Sequence, residues 1–325
     1  MRKTVLGVLV AAVLALGACS SGTAGDAGGS TAGGGTGGKV SVTDSTGTVT
    51  LPTTATKVVS LEWAYTEDLL TLGVTPAGVA DRGTYGDWVG AGPRLSSSVP
   101  DVGTRAQPSL EKIKALDPDL IIAEKSRSTA NLAQLKEIAP VLLFDAYTPN
   151  TKLVDTANTN MVQIGTAVGK QGKAKQLVGT YRKKVAAAKA RLAKAGKAGT
   201  KITLLQGFSV DGQPNIRAYT DHAQAVQVLT SIGLANAWHG KDSDPSGFTS
   251  TGVEGLTPVS DSTVLYVALK SDNPFTGTLA KNATWQNLGF VKAKKLHAVD
   301  PATWFWGGPA SNGMLIDQAV TALGA

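Results

Sequence analysis

Short runs of aliphatic residues alternate with helical stretches in this chain, and that alternation limits the possible folds more than any other feature of its 325 residues. The runs at 57–61, 120–123 and 141–144 have the length and composition of buried strands. Amphipathic stretches at 65–72 and 131–138 lie between them and have the periodicity of helices. Because buried strands that alternate with helices form parallel sheets covered on both faces, the sequence predicts an α/β fold.

The segment 39–325 is long for one domain, since domains have about 100–200 residues, and we expect two lobes. Strand-like runs recur after a long helical stretch at 153–192, which is interrupted only near Gly169 and Gly172. We interpret this stretch as two helices, of which the first links the lobes. The predicted boundaries are an N-terminal lobe at 39–150, a linker helix at 151–169 and a C-terminal lobe at 170–325.

The N-terminus has the features of an export signal followed by a lipid anchor. Residues 1–18 begin with two cations and continue with an apolar run too short to cross a bilayer comfortably. The run ends in LGAC, which resembles the lipobox of bacterial lipoproteins, in which Cys19 is acylated, for example with palmitate, and becomes the mature N-terminus. Residues 19–38, rich in Gly, Ser, Thr and Ala, are then a flexible tether. We expect a protein anchored through Cys19 to the outer face of the cell membrane; an ordinary secretory signal with an incidental cysteine is the alternative.

The charge of the chain excludes one class of partner. The chain has 31 Lys and Arg against 24 Asp and Glu, a formal net charge of +7, and this mild excess is compatible with an anionic ligand. No basic run is dense enough to indicate nucleic-acid binding, and Lys183, Lys184, Lys189 and Arg191 have the spacing of a solvated helix face.

Patterns typical of enzymes and metal sites are absent from the sequence. There is no G-x-S-x-G nucleophile motif, and Asp221, His222 and Asp300 have no spacing typical of a triad. The single cysteine excludes an internal disulfide, and His222, His239 and His297 are not clustered as zinc ligands. The sequence therefore predicts that the protein is not an enzyme, with an extracellular hydrolase and a free-metal receptor as alternatives.

Several motifs carry a resemblance to a known family. They are VSLEWAYTEDLL at 59–70, DVGTR at 101–105, QPSLEKI at 107–113, LDPDLII at 116–122 and WQNL at 285–288. With these motifs the chain resembles the substrate-binding lipoproteins of bacterial ferric-siderophore ABC importers, and within them the branch that handles ferric dicitrate. The resemblance implies two α/β lobes with mainly parallel sheets, one long linker helix, and a ligand cleft between the lobes.

The same resemblance implies the partners. A ferric siderophore or ferric citrate complex is captured and delivered to the transmembrane permease dimer of an ABC importer by a binding protein that acts as a monomer. No cofactor is implied, because iron arrives inside its chelate. One acidic side chain on each lobe docks on the permease, and Glu111 and Glu254 stand at the matching places. A glutamate in the first turn of a helix is also favoured by the helix dipole alone.

Four arginines are candidates for ligand contacts. Arg82, Arg105 and Arg127 each follow a predicted strand, at the edge where open parallel sheets bind ligands, and Arg217 lies within a predicted strand of the second lobe. A guanidinium forms two parallel hydrogen bonds to a carboxylate and stays charged in a half-dry cleft. We expect these side chains to bind oxygen atoms of the chelate, and Glu62 either to bind a ligand hydroxyl or to hold an arginine in place.

Aromatic side chains are expected to form flat walls around the organic shell of the ligand. The candidates follow predicted strands, lie in the loop after Arg82, or border a Gly-rich loop: Trp63, Tyr65, Tyr85, Trp88, Tyr219, Trp304 and Trp306. Two further tryptophans, Trp238 and Trp285, are expected to serve packing. A binding protein of the same fold for cobalamin or haem, and an adhesive surface lipoprotein, remain alternatives.

Overall fold

A computed structural model describes residues 38–148 and 151–325, and these residues belong to one compact unit. The predicted signal at 1–18, Cys19 and the tether up to residue 37 lie outside the described residues. Within the described residues no helix combines the length and the apolar character needed to cross a membrane.

The N-terminal lobe is built on a four-stranded parallel sheet. A hairpin comes first, formed by β1 (Val40–Asp44) and β2 (Gly47–Leu51). The sheet then has the order β4 (Gly78–Val79), β3 (Val58–Ser60), β5 (Leu120–Glu124) and β6 (Val141–Phe144). Its helices are α1 (Trp63–Leu72), α2 (Arg82–Trp88), α3 (Leu110–Ala115), α4 (Lys125–Ser128) and α5 (Leu132–Ile138).

Strand β5 shows why the strands of this sheet appear in the sequence as continuous apolar runs. All five of its residues are buried. Leu120 and Ile122 contribute to the core on one face of the sheet, whereas Ile121 and Ala123 contribute to a separate core on the other face. Successive side chains of a strand point to opposite faces, so a strand covered on both sides must be apolar throughout.

The C-terminal lobe has a mixed sheet. Its strands follow the order β10 (Phe248–Thr251), β8 (Gln213–Tyr219), β7 (Lys201–Val210), β11 (Thr263–Val267) and β12 (Leu296–Ala298), and β9 (Ala235–Asn236) pairs with the start of β7. Its α-helices are α8 (Gln224–Ser231), α9 (Ala283–Asn287), α10 (Gly289–Lys292) and α11 (Pro309–Ala322). The fold as a whole confirms the predicted α/β class with mainly parallel sheets.

Two antiparallel strands at one edge distinguish this sheet from a purely parallel one. Strand β8 pairs antiparallel with β7 and with β10. The turn between β7 and β8 is Asp211-Gly212, and both residues have positive φ, 50° and 74°. An Asp-Gly pair of this conformation favours a tight hairpin because its twist matches that of the strands. This turn places Arg217 in an antiparallel strand.

Two helices follow the N-terminal lobe, α6 (Leu153–Ala167) and α7 (Gln171–Lys194). They are separated at Gly169, whose φ of 68° is favourable for glycine. Helix α6 packs against α1 and β1 of the N-terminal lobe and against α8 of the C-terminal lobe, and α7 packs against α6 and α11. Helix α6 therefore contacts elements of both lobes.

A buried carboxylate joins the lobes a second time. The Glu67 side chain on α1 accepts hydrogen bonds from the backbone N–H and the hydroxyl of Ser311, in the first turn of α11. Asp68 lies beside Gly308, where a Cβ atom would overlap its carboxylate. Burial raises the pKa of Glu67 to about 7, although the Ser311 hydrogen bonds lower it, and burial also raises the pKa of Asp68 well above its usual range.

The raised pKa of Glu67 gives a pH-dependent stability. Because the folded state binds this proton more tightly than the unfolded state, the contribution of Glu67 to the free energy of unfolding falls as pH rises from about 4.5 through about 7, and it levels off above that pH. We expect Glu67→Gln to remove up to about 3 kcal/mol of that fall. Urea unfolding of both proteins at about pH 5 and about pH 8 measures the difference.

An exposed carboxylate provides the control. Glu137 on α5 is exposed, so Glu137→Gln should leave the pH profile of the wild type unchanged. Parallel profiles for the wild type and Glu67→Gln would contradict the assignment.

Candidate ligand-binding site

A cavity of about 690 Å³ lies between the two lobes. From the N-terminal lobe it is lined by Arg105, Ala106, Ser126, Arg127 and Tyr147. From the C-terminal lobe it is lined by Arg217, Asp244, Pro245, Ser246, Phe248, Trp304 and Trp306. Its volume falls in the range of about 300–1,000 Å³ that small-molecule sites occupy.

The carboxylate of Glu62 organises the N-terminal wall of this cavity. Its side chain is only 4% exposed and forms ion pairs with two arginines. Oε1 accepts from Nη1 of Arg105 at 3.0 Å, and Oε2 accepts from Nε of Arg127 at 3.1 Å. The ion pair with Glu62 offsets the cost of burying Arg127, and the pKa of that guanidinium is raised overall.

Glu62 occupies this position because it lies between the end of one element and the first turn of the next. Strand β3 ends at Ser60, and Glu62 is the N-cap of α1, with its Oε1 accepting from the backbone N–H of Trp63 at 2.7 Å. An acidic N-cap satisfies a free N–H group and complements the helix dipole. The cap therefore fixes the carboxylate that both arginines contact.

Arg105 is held on three sides. Besides Glu62, Asp81 accepts hydrogen bonds from both its backbone N–H and its Nε. The guanidinium carbon lies 3.7 Å from the ring centroid of Trp63 and 5.5 Å from that of Trp304. Stacking on an aromatic face leaves the edge of the guanidinium free for hydrogen bonds. Arg105 is thus preorganised before any ligand arrives.

Arg217 on β8 is held differently. Its guanidinium carbon lies 4.4 Å from the ring centroid of Phe248 and 4.9 Å from that of Phe208, and Nη1 donates to Gln206 at 3.3 Å. In residues 38–148 and 151–325, no carboxylate lies within ion-pair distance of Arg217. Its charge is therefore the least compensated of the three arginine charges in the cavity.

The aromatic wall comes mainly from the C-terminal lobe. Trp304 and Trp306 lie with ring centroids 4.8 Å apart, and Trp304 also contacts Trp63 at 5.1 Å. The indole N–H of Trp306 donates to the Ser246 carbonyl at 3.5 Å. Tyr147 faces them from the other lobe, and burial, together with nearby carboxylates, raises the pKa of its hydroxyl. The Tyr147 hydroxyl therefore stays a hydrogen-bond donor at physiological pH.

The structure brings most of the predicted arginines and loop tryptophans together. Arg105, Arg127, Arg217, Trp304 and Trp306 line the cavity. Trp63 does not line it, but its ring stacks on the guanidinium group of Arg105.

Tyr65 does not reach the cavity. It is 2% exposed and packs edge-on against Phe144. Both Trp63 and Tyr65 lie on α1, and positions two apart in a helix point about 200° away from each other, so they cannot face the same side. Tyr219 is also fully buried, where its hydroxyl donates to Gln206 at 2.9 Å. Gln206 also accepts from Arg217, so Tyr219 contacts the cavity arginine only through this shared acceptor.

Arg82, Tyr85 and Trp88 lie on α2, where the sequence analysis expected a loop. Arg82 and Tyr85 line a different cavity of about 370 Å³, together with Arg94, and Trp88 packs against the hydrophobic cores. Asp81 has a φ of 50° and binds Arg105, and this left-handed turn starts α2 immediately after the strand. None of these three side chains lines the cavity that contains Arg105 and Arg217.

Of the four aromatic residues that line the cavity, two were not among the sequence-based candidates, Tyr147 and Phe248. Tyr147 follows β6, so the strand-end rule that selected the arginines would also have selected it. Phe248 had no comparable signal, because its position depends on the pairing of Phe248 with Tyr219 between distant strands.

No group of three or more His, Cys, Asp or Glu residues among the described residues could hold a metal ion.

The two predicted docking glutamates are both exposed. Glu111 lies in the first turn of α3, which Ser109 caps, and Glu254 begins a 3-10 helix at Glu254–Val259 that contains Pro258.

Comparison with known proteins agrees with this architecture. The chain is 30% identical to the Fe(3+) dicitrate-binding periplasmic protein FecB of Escherichia coli over 81% of this chain and 83% of that protein. It is 28% identical to the iron(3+)-hydroxamate-binding protein FhuD of the same species, over 78% and 82%. The crystal structure of the siderophore-binding protein FhuD from Vibrio cholerae, bound to Fe3+-Desferal, superposes with a TM-score of 0.73 at 29% identity, covering 82% of this chain and 97% of that one.

Residues 58–303 match the family described as periplasmic binding protein, which is more than half of the chain. The chain therefore belongs to the periplasmic binding protein family, whose role is substrate binding in transport and not catalysis.

Proposed function

We propose that this protein captures a ferric siderophore or ferric citrate complex outside the cytoplasm and delivers it to the permease of an ABC importer. The observation that carries the proposal is the cavity in which three guanidinium groups face an aromatic wall. The relatives named as binding ferric dicitrate and ferric hydroxamate support the same ligand class.

The cavity offers what a preformed chelate requires. The siderophore already saturates the iron, so the protein contributes donors for ligand oxygens and flat apolar surface, not metal ligands. Arg127 uses only Nε in its ion pair, and Arg105 uses Nε and Nη1. Their remaining N–H groups and those of Arg217 are available to carboxylate or hydroxamate oxygens.

The charge balance favours a chelate of small net charge, such as a ferric hydroxamate, over the more anionic ferric dicitrate. Arg105 and Arg127 are already compensated by Glu62 and Asp81, and Asp244 adds a further carboxylate to the lining. A polyanion brought into a partly dry site needs surplus positive charge to offset its lost hydration.

Haem fits this cavity less well than a ferric chelate. Haem iron takes axial ligands such as His, Met or Cys, and none of these is among the residues that line the cavity. Tyr147 is the one lining side chain of a haem-ligating type. Cobalamin remains the second candidate, because the aromatic wall suits a flat ring system.

We also propose how the protein reaches its partner. Cys19 carries the lipid anchor, and the protein acts as a monomer whose exposed Glu111 and Glu254 contact arginines of the permease dimer. Exposed charges of this kind accelerate association more than they tighten it.

Ligand binding is measured by tryptophan fluorescence, because Trp304 and Trp306 line the cavity. We expect saturable quenching by a ferric hydroxamate and weaker binding of ferric dicitrate. Arg217→Ala should weaken the hydroxamate complex at least about tenfold, since a hydrogen bond to a charged group contributes about 1.5–3 kcal/mol.

Arg82→Ala is the matched control, since Arg82 lines the other cavity and should leave the affinity unchanged. Saturation by cobalamin alone, or equal losses in the two variants, would contradict the proposal.

Glu62→Gln tests the charge balance directly. The variant keeps the N-cap acceptor but removes the carboxylate that compensates two arginines. We expect it to unfold more easily by about 3 kcal/mol, the cost of breaking a buried ion pair. The ratio of the dissociation constants of ferric dicitrate and ferric hydroxamate should shift towards dicitrate. An unchanged ratio would show that this charge does not set ligand preference.

Docking is tested by separating binding from uptake. The double variant Glu111→Ala, Glu254→Ala should bind the ferric chelate as the wild type does, because neither residue lines the cavity. Uptake of radioactive iron by cells that depend on this protein should fall at least about tenfold. Glu137→Ala serves as an exposed-carboxylate control, and wild-type uptake by the double variant would exclude the docking role.

A further inference from the structure

Helix α7 carries a concentration of positive charge that ligand binding does not explain. Its 24 residues include no acidic side chain. Eight of them are cations: Lys173, Lys175, Arg182, Lys183, Lys184, Lys189, Arg191 and Lys194. No residue of α7 lines the cavity between the lobes.

The exposed charged residues of the helix are all cations. The buried side consists of Ala174, Val178, Tyr181, Ala188 and Leu192, which pack into the protein. Of the eight cations only Lys184 is partly buried, and it pairs with Asp317. The other seven, here called the basic face, are exposed and have no ion pair within the described part of the chain: Lys173, Lys175, Arg182, Lys183, Lys189, Arg191 and Lys194.

Part of the basic face forms a straight row. Lys175, Arg182 and Lys189 follow one another at intervals of seven residues, which places them on one line along the helix. A helix of this length extends about 36 Å. Such a row can contact several lipid headgroups of a flat surface at the same time.

The basic face lies close to the point where the predicted tether enters the domain. Strand β1, which begins at Val40, packs against α6, and α6 packs against α7. The backbone N–H of Thr43 donates to Gln163 of α6 at 3.1 Å, which fixes this contact. A lipid at Cys19 would therefore keep α7 within reach of the bilayer, since a flexible tether of about 20 residues spans about 25 Å.

We propose that the basic face of α7 binds anionic phospholipid headgroups of the membrane in which the protein is anchored. This proposal rests on the proposed lipid anchor at Cys19. Lysine and arginine near a negatively charged bilayer are attracted to it, and salt screens that attraction.

The ligand cavity stays accessible in this arrangement, because neither α6 nor α7 contributes to its lining. The protein can therefore rest on the bilayer through α7 while its ligand site remains open to solvent.

The test uses the unlipidated chain from Gly38 onward, which includes every described element and all of the hydrophobic cores. It is sedimented with vesicles of phosphatidylcholine alone and with vesicles that also contain phosphatidylglycerol. We expect binding to the anionic vesicles to be at least about tenfold stronger and to weaken as salt is raised.

Two triple variants with the same change in net charge isolate the basic face. The first triple variant combines Lys175→Gln, Arg182→Gln and Lys189→Gln. It should bind the anionic vesicles at least about tenfold more weakly than the wild type. Lys112→Gln, Lys114→Gln, Lys136→Gln removes three exposed lysines of the N-terminal lobe and should bind the vesicles as the wild type does.

Ferric-chelate titration of both variants separates this proposal from the proposed function. Because α7 does not line the cavity, both variants should bind the chelate normally, which also shows that they are folded. Equal binding of the wild type to the two kinds of vesicle, or equal losses in the two variants, would overturn the proposal and leave α7 an ordinary solvated face.

Discussion

The buried carboxylate of Glu62 is the interaction on which the ligand side of the N-terminal lobe depends. Burying a charge costs several kcal/mol, and here two guanidinium groups and a backbone N–H offset that cost. The order of the sheet makes the arrangement possible. Glu62 follows the central strand β3, whereas Asp81 follows β4 and Arg127 follows β5, which flank it. The carboxyl ends of three neighbouring parallel strands thus bring the charges together, and Arg105 joins them from the loop beyond.

The two walls of the cavity are built on different physical principles. On the N-terminal side the arginines are fixed by carboxylates, and the negative charge of these carboxylates largely compensates the positive charge of the arginines. On the C-terminal side Arg217 lies on an antiparallel strand between two phenyl rings and without a carboxylate partner among the described residues. A ligand therefore meets rigid hydrogen-bond donors on one wall and the less compensated charge on the other. Rigid donors provide orientation at little entropic cost, whereas the C-terminal charge provides attraction.

The sequence predicts the fold better than it predicts the site, and particular residues show why. Strand ends are visible in the sequence, so Arg105 and Arg127 could be placed at the correct edge of the sheet. The direction of a side chain on a helix is visible only when the helix start is known, and this is why Tyr65 was expected in the cleft although it packs in the core. The hairpin at Asp211-Gly212 has a recognisable sequence signal, whereas the position of Phe248 depends on a pairing between distant strands.

The net charge of the chain also differs from the local charge at the ligand cavity. The formal net charge of +7 is compatible with an anionic ligand when it is considered as a property of the whole chain. Helix α7, with eight cations and no acid, accounts for +8 of it, which leaves −1 for all other residues together. The ligand cavity has nearly balanced formal charges, because Glu62, Asp81 and Asp244 oppose its three arginines. The basic character of this protein therefore belongs to a surface away from the cavity, and net charge alone says little about the charge of the ligand.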